Sequence, residues 1–247
     1  LFRSYALWRH ARIDYAEAEP KFYFRFDFLV EANLSEAEAA LFRDQSGLGV
    51  DKVRAVENGI DTDVFDPSLP FEAIDRPAGP LAVFTGQMDY RPNIDAVRWF
   101  ATDVLPIIRR RHAAAGFAIV GRAPTEEVRA LAALPGVTVT GSVEDVRPYY
   151  RRSWLQMVPL RIGGGTRLKI VESLAIGTPV VSTTIGAQGL GLTHGANILL
   201  ADTPTDFADQ IVSALRNPPL RSHLRNKGIC VAKERFGWRS IGAGLST

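Results

Sequence analysis

From Leu81 onward the chain repeats one pattern, a short continuous apolar run followed by an amphipathic stretch, and it does so six times. The runs are LAVFTG (81–86), FAIVG (117–121), VTVTG (137–141), LQMVPL (155–160), PVVST (179–183) and NILLAD (197–202). Unbroken apolar runs are what strands buried on both faces look like, and their alternation with helices indicates a parallel sheet covered above and below. The intervening stretches carry helical signals. IDAVRWFATDVL follows Pro92 and Asn93. PTEEVRALAAL (124–134) has proline near its first position and acids in its first turn, where the helix dipole favours them. VEDVRPYYRRS reads as a short helix, TRLKIVESLAIG as a helix closed by Gly177, and two more fall at about 204–216 and 218–233. The expected fold is therefore α/β, a doubly wound parallel sheet of Rossmann-like type. Such sheets bind ligands outside the carboxyl ends of the strands, near the topological switch point, so the exit of the fourth run is the place to look.

Residues 1–70 differ. They hold a helical stretch, SEAEAALFRDQSG, and two short strand-like segments, FDFLVEA and KVRAVENG. That is too little for a second doubly wound domain. PSLPFEAIDRPAGP (67–80) is proline-rich and reads as a linker, and ERFGWRSIGAGL as a weak terminal helix with two glycines.

Composition narrows the function classes. Hydrophobic residues make up 46% and charged residues 23%, the balance of an ordinary globular chain. A net charge of +2 gives no bulk electrostatic reason to bind nucleic acid. The local clusters at Arg109, Arg110 and Arg111, and at Arg147, Arg151 and Arg152, read as solvated helix ends. A single cysteine, Cys230, excludes a disulfide within the chain and fits a reducing compartment. The four histidines show no metal-ligand spacing, so no metal is expected. No apolar run reaches transmembrane length, and LFRSYALWRHARIDYAEAEP has neither the apolar core nor the cleavage site of a secretory signal. With no initiator methionine, the chain is expected to begin inside a longer protein.

The segment richest in chemistry is PLRIGGGTRLKIVESLAIGTPVVST (159–183). Gly163, Gly164 and Gly165 lie between a strand and a helix, where glycine lets backbone N–H groups approach a ligand. The first amides of the helix, around Thr166, Arg167 and Leu168, face the same space, and a helix N-terminus attracts an anion. Arg167 and Lys169 add positive charge, so a diphosphate fits. The segment is not a Walker loop, because GK[ST] is absent, nor a GxGxxG fingerprint. A tight turn that merely needs glycine is the other reading. Glu172, about two turns into the helix, could face solvent, or it could accept hydrogen bonds from a ribose diol.

GGGTRLKIVESLAIGTPVVSTTIGAQGL resembles the donor-site signature of the retaining GT-B glycosyltransferases of family four, the glycosyl transferases group 1. The likeness is nearest to the bacterial sugar transferases of exopolysaccharide synthesis, including those beside exosortase systems. VENGIDTDVFDP (56–67), FTGQMDYRPNIDAV (84–97) and VTVTGSVEDVRPYY (137–150) are similar to further stretches of that family, in the family's order, and FDFLVEANLSEAEAALFR (26–43) is similar to the end of its first domain. The resemblance implies the C-terminal half of a GT-B fold with a remnant of the N-terminal domain. Residues 1–68 would be that acceptor-side remnant and the interdomain segment, 69–235 the nucleotide-sugar-binding Rossmann-like domain, and 236–247 a crossing segment deprived of much of its usual packing partner.

The resemblance also implies a function: retaining transfer of a hexosyl-type sugar from a nucleoside-diphosphate sugar to a glycan or lipid-linked acceptor, without metal or other cofactor. This piece alone would be inactive. A non-catalytic nucleotide-binding or partner-binding module is the alternative. The expected setting is the bacterial cytoplasm, with peripheral contact at the inner membrane face. By the family's pattern Gly86, Arg91, Gly164, Gly165, Thr166, Arg167, Leu168 and Lys169 line the donor site, with Gly165, Thr166 and Arg167 at the phosphates and Lys169 adding charge. Glu172 holds the ribose hydroxyls as the second acid of an E-x7-E motif, and Val143 lies beside the base, which the sequence leaves open between the uracil of UDP, guanine and adenine. The first acid of that motif is replaced by Gly164, which leaves open whether backbone amides take over its role toward the sugar.

Overall fold

The computed structural model describes residues 30–32, 40, 43–45, 47, 53–55, 58–71, 79, 81–163 and 167–245. Its contacts divide the chain into two units, Leu1–Asn58 and Gly59–Thr247. In the first unit β1 (Val30–Ala32) and β2 (Val53–Ala55) form a parallel pair with Val30 opposite Val53. These are the two strand-like segments read from the sequence.

In the second unit each of the six apolar runs forms a strand: β3 (Leu81–Thr85), β4 (Gly116–Val120), β5 (Val137–Gly141), β6 (Leu155–Val158), β7 (Val180–Ser182) and β8 (Leu199–Leu200). They make one sheet in the order β5-β4-β3-β6-β7-β8, and every pairing is parallel. Counted from β3 this is the doubly wound order, whose direction reverses between β3 and β6. The crossovers are α1 (Arg91–Trp99) running on into α2 (Leu105–Arg111), α3 (Glu126–Ala130), α4 (Arg147–Arg152) and α5 (Leu168–Ala175). After β8 come α6 (Pro204–Arg216), α7 (Pro218–Val231) and α8 (Trp238–Leu245).

Burial explains why the strands lack alternation. All five residues of β3 are buried. Leu81 and Val83 join a small cluster with Ala118, Val120, Tyr150 and Ile176 on one face. Ala82 and Phe84 join the main core on the other, where Phe100 packs on Phe117 at 4.4 Å and Trp99 meets the edge of Phe207 at 5.6 Å. Each such aromatic contributes about 1.5–3 kcal/mol by leaving water, so the second unit has a two-sided core of its own. Among the described residues no helix is long and apolar enough to cross a membrane.

Two features differ from the sequence reading. The stretch IDAVRWFATDVL is not one regular helix: Phe100–Val104 widens to a π-turn, in which the Leu105 N–H donates to the Phe100 carbonyl. Pro106 has no N–H and its ring crowds the preceding turn, and the wider register lets the chain pass it without breaking. The terminal helix also has a seat within its own unit. The Ile60 N–H donates to Phe236 O at 2.8 Å and the Trp238 N–H to Ile60 O at 3.2 Å. A Cβ on Gly59 would lie 2.8 Å from both Trp238 and Ile241.

At the carboxyl edge of the sheet the backbones of neighbouring strand ends touch. The Gly86 N–H donates to Val120 O at 3.0 Å, and the Gly121 N–H to Gly141 O at 3.1 Å. A Cβ on Gly121 would sit 1.6 Å from the Gly86 carbonyl oxygen, which only backbone displacement could relieve. Gly121→Ala is therefore expected to destabilise the second unit by at least about 2 kcal/mol, measured by denaturant unfolding.

Candidate functional site at the sheet switch point

The loop leaving β3 passes through Gly86 into α1, whose first residues are Arg91, Pro92 and Asn93. The loop leaving β6 passes through Arg161, Ile162 and Gly163 to Arg167, the N-cap of α5. The two loops meet, since a Cβ on Gly163 would lie 3.3 Å from the Pro92 ring and 3.4 Å from Arg167 Nη2. Two helix N-termini, with their positive dipole ends, thus open on one crevice; Pro92 has no N–H, and the Asn93 and Ile170 N–H groups donate to Tyr90 O and Arg167 O, each at 2.8 Å. Arg161 braces the arrangement: its Nε donates to Asp95 Oδ2 at 3.0 Å, and its guanidinium lies over the Trp99 ring at 5.6 Å.

Lys169 reaches into this crevice from α5. Its ammonium donates to Asn93 Oδ1 at 3.1 Å and sits 3.9 Å from the centre of the Phe84 ring. A Cβ on Gly86 would come within 3.0 Å of Lys169 Nζ and 2.8 Å of Asn93 Nδ2, so glycine at 86 makes room for the pair. Burial, and secondarily the Arg167 charge, pull the Lys169 ammonium down to about 7, with Glu172 opposing. Arg167 is itself half-buried, which lowers its pKa too, but a guanidinium keeps its proton in proteins.

One turn beyond Lys169, Glu172 Oε2 accepts a hydrogen bond from Tyr150 Oη at 2.9 Å, and Tyr150 Oη lies 2.6 Å from Thr85 Oγ1. Burial raises the Glu172 carboxyl above its ordinary value, with the Tyr150 donor and the Lys169 charge pulling the other way. Burial chiefly, and the neighbouring Glu172 charge, push the Tyr150 phenol well up, so it stays protonated and donates.

The sequence-predicted residues fall as follows. Gly86, Arg167, Lys169 and Glu172 are brought to the crevice at the ends of β3 and β6. Arg91 is exposed at the start of α1, and Leu168 is exposed at the start of α5. Val143 packs its side chain against the small cluster that contains Tyr150. Gly164, Gly165 and Thr166 lie outside the described residues. A cavity of about 480 Å³ opens farther out along the same edge, lined by Ala123, Arg129, Thr140, Gly141 and Ser142 among others. Ala123 there holds a φ of 53°, which non-glycine residues seldom adopt. Among the described residues no group of His, Cys, Asp and Glu could hold a metal ion.

Sequence reasoning did not single out Thr85, Asn93 or Tyr150. Thr85 closes an apolar run and Tyr150 looks like core filling in a short helix. Asn93 stands in the quoted loop, but nothing in its spacing marks it as the anchor of Lys169, 76 residues away.

A parallel doubly wound sheet with two helix N-termini, a lysine and a carboxylate at its switch point defines a Rossmann-like domain. The family model of the glycosyl transferases group 1 matches residues 79–217, and the chain belongs to that family. It is 30% identical over 239 residues to a D-inositol 3-phosphate glycosyltransferase of Xylanimonas cellulosilytica, covering 89% of this chain and 55% of that protein. Among solved structures it resembles Anabaena Alr3699/HepE in complex with UDP and glucose, with a TM-score of 0.68 at 17% identity, over 90% of this chain and 62% of the other. It also resembles the C-terminal domain of a glycosyl transferase group 1 family protein (LpcC) from Francisella tularensis, with a TM-score of 0.59 at 16% identity, over 73% of this chain and all (100%) of that domain. The chain spans about half the length of the Xylanimonas protein.

Holding charges in a partly dry crevice opposes folding. Because burial raises the Glu172 carboxyl from 4.5, stability is full below that value and is lost as pH rises through the folded-state pKa. Glu172→Gln removes this loss. The variant is expected to melt higher than the wild type at neutral pH, by about 2–4 °C, and with no advantage below pH 4.5, as followed by thermal unfolding across pH.

Proposed function

We propose that this chain is the donor-binding portion of a retaining glycosyltransferase, one that moves a hexosyl-type sugar from a nucleoside-diphosphate sugar to a glycan or lipid-linked acceptor. The observation that carries the reading is the convergence of the α1 and α5 N-termini with Lys169 and Glu172 at the switch point. In this reading the diphosphate lies against the amides of Gly164, Gly165 and Thr166 and the Arg167 and Lys169 charges, with Arg91 at the rim and Leu168 at the head of α5. Glu172 accepts the ribose hydroxyls. The base lies toward Gly141 and Val143, and uracil is the favoured base because the Anabaena neighbour is a complex with UDP.

As the bond from sugar to diphosphate breaks, negative charge grows on the leaving oxygen. Donors fixed in advance, in a site of low dielectric, stabilise that charge without reorganising. Amides and basic side chains supply this here, so the reading needs no metal ion. The bacterial cytoplasm, with peripheral contact at the inner membrane face, is the proposed setting, and exopolysaccharide synthesis the proposed process.

Calorimetric titration with UDP, GDP and ADP tests the site. One nucleotide should bind in preference. Glu172→Ala should weaken it about tenfold to a hundredfold, the loss of a hydrogen bond to a charged group, and Arg167→Ala should weaken the diphosphate more than the nucleoside. Unchanged binding in both variants overturns the assignment. Nucleotide binding by a full-length protein without transferase activity would favour a non-catalytic module.

Lys169 adds a pH signature. With its ammonium near 7 in the free chain, it is largely neutral at higher pH, and a bound diphosphate should restore the charge. Binding is then expected to take up a proton between pH 7 and its ordinary 10.5 and to weaken as pH rises through that window. Calorimetry in buffers of different ionisation enthalpy reads the uptake directly, and Lys169→Met should abolish it.

A further inference from the structure

Tyr150 is among the largest fully buried side chains of the second unit, and its ring is held by the core. It packs with Leu81, Val83, Ala118, Val120 and Ile176, and its backbone carbonyl accepts the Thr178 hydroxyl at 2.7 Å. Phenylalanine would satisfy all of that packing. The hydroxyl is an addition with two polar partners, Thr85 Oγ1 at 2.6 Å and Glu172 Oε2 at 2.9 Å. A carboxylate only accepts, so the single phenolic proton goes to Glu172. The Thr85 hydroxyl must then donate to Tyr150 Oη. The chain of bonds has one direction, from the end of β3 through α4 to α5.

We propose that Tyr150 is a positioning residue for nucleotide recognition: anchored by the core and by Thr85, its hydroxyl holds Glu172 Oε2, fixing the carboxylate and leaving Oε1 for the ribose diol. This rests on Glu172 being the diol acceptor. The charged and titratable groups facing Glu172 are Lys169 on its own helix and Tyr150 from α4. Burial works against an ionised carboxylate, and the Tyr150 donor and the Lys169 charge each offset part of that penalty. A carboxyl that took up a proton would lose its charge and part of its acceptor capacity toward a diol. The hydroxyl therefore sets both where the acceptor stands and the pH at which it is lost.

Tyr150→Phe in the 247-residue chain is the test, with Thr85→Val as a second variant that keeps the phenol and removes only the donor behind it. The first readout needs no ligand. The Glu172 carboxyl, followed by carbon NMR in glutamate-labelled protein, should titrate about one unit higher in Tyr150→Phe, and shift less, in the same direction, in Thr85→Val. Identical titration in wild type and Tyr150→Phe overturns the proposal whether or not a nucleotide binds. The second readout uses UDP and 2′,3′-dideoxy-UDP. Tyr150→Phe should weaken UDP about tenfold, move the acid limb of its binding profile to higher pH, and leave dideoxy-UDP unchanged. Equal weakening of both nucleotides marks a merely structural role and overturns the proposal. If the wild type itself binds both equally, the diol role of Glu172 falls, and the titration still decides whether Tyr150 holds its carboxylate.

Discussion

The reversal of strand order between β3 and β6 is the constraint on which the rest of the site depends. Crossovers from β3 lead to one side and crossovers from β6 to the other, so the chain departs from this point in opposite directions and leaves a crevice between the two exits. Both exits end at a helix N-terminus, so the crevice is bordered by the positive dipole ends of two helices. Glycine at 86, 121 and 163 keeps backbone and side chains close enough for the two walls to meet. The Arg161–Asp95 pair, seated on Trp99, ties the second exit to the first helix.

Electrostatically the crevice is arranged against its own stability. Lys169 is pulled down and Glu172 pushed up mainly by the same cause, removal from water, and each offsets part of the other's penalty. A half-buried lysine one turn from a half-buried glutamate suits the helix that carries both, but taking the two charges out of water costs the fold stability. Natural sequences accept such a cost chiefly where a ligand repays it. The aromatic contacts are part of this arrangement. Phe84 gives the ammonium a π-face in place of lost water, and Tyr150 gives the carboxylate a donor.

The six strands, the crossover helices and the glycine-rich exit of the fourth run were all legible in the sequence, because each rests on a local signal: apolar continuity, capping residues, and glycine beside a helix start. Lys169 and Glu172 were legible because they share a helix at short spacing. Thr85, Asn93 and Tyr150 were not, because what makes them part of the candidate site is a bond across the fold, from β3 to α4, from α4 to α5 and from α1 to α5. The π-turn before Pro106 had its cause in view, but the response of the helix, widening rather than breaking, depends on the core packed around Phe100.

By itself, then, the sequence determined that the second unit would be a parallel α/β sheet and that a helix start rich in glycine and positive charge would follow its fourth strand, since hydrophobic periodicity and backbone freedom act within a few residues of each other. Only the tertiary structure decided which strands became neighbours, that α1 and α5 point their N-termini at one crevice, and that the Glu172 carboxylate is held by a tyrosine from another helix. Those depend on side chains far apart in the chain entering one dry space. Charge and hydrogen bonding there are set by what surrounds a group, not by what precedes it in the chain.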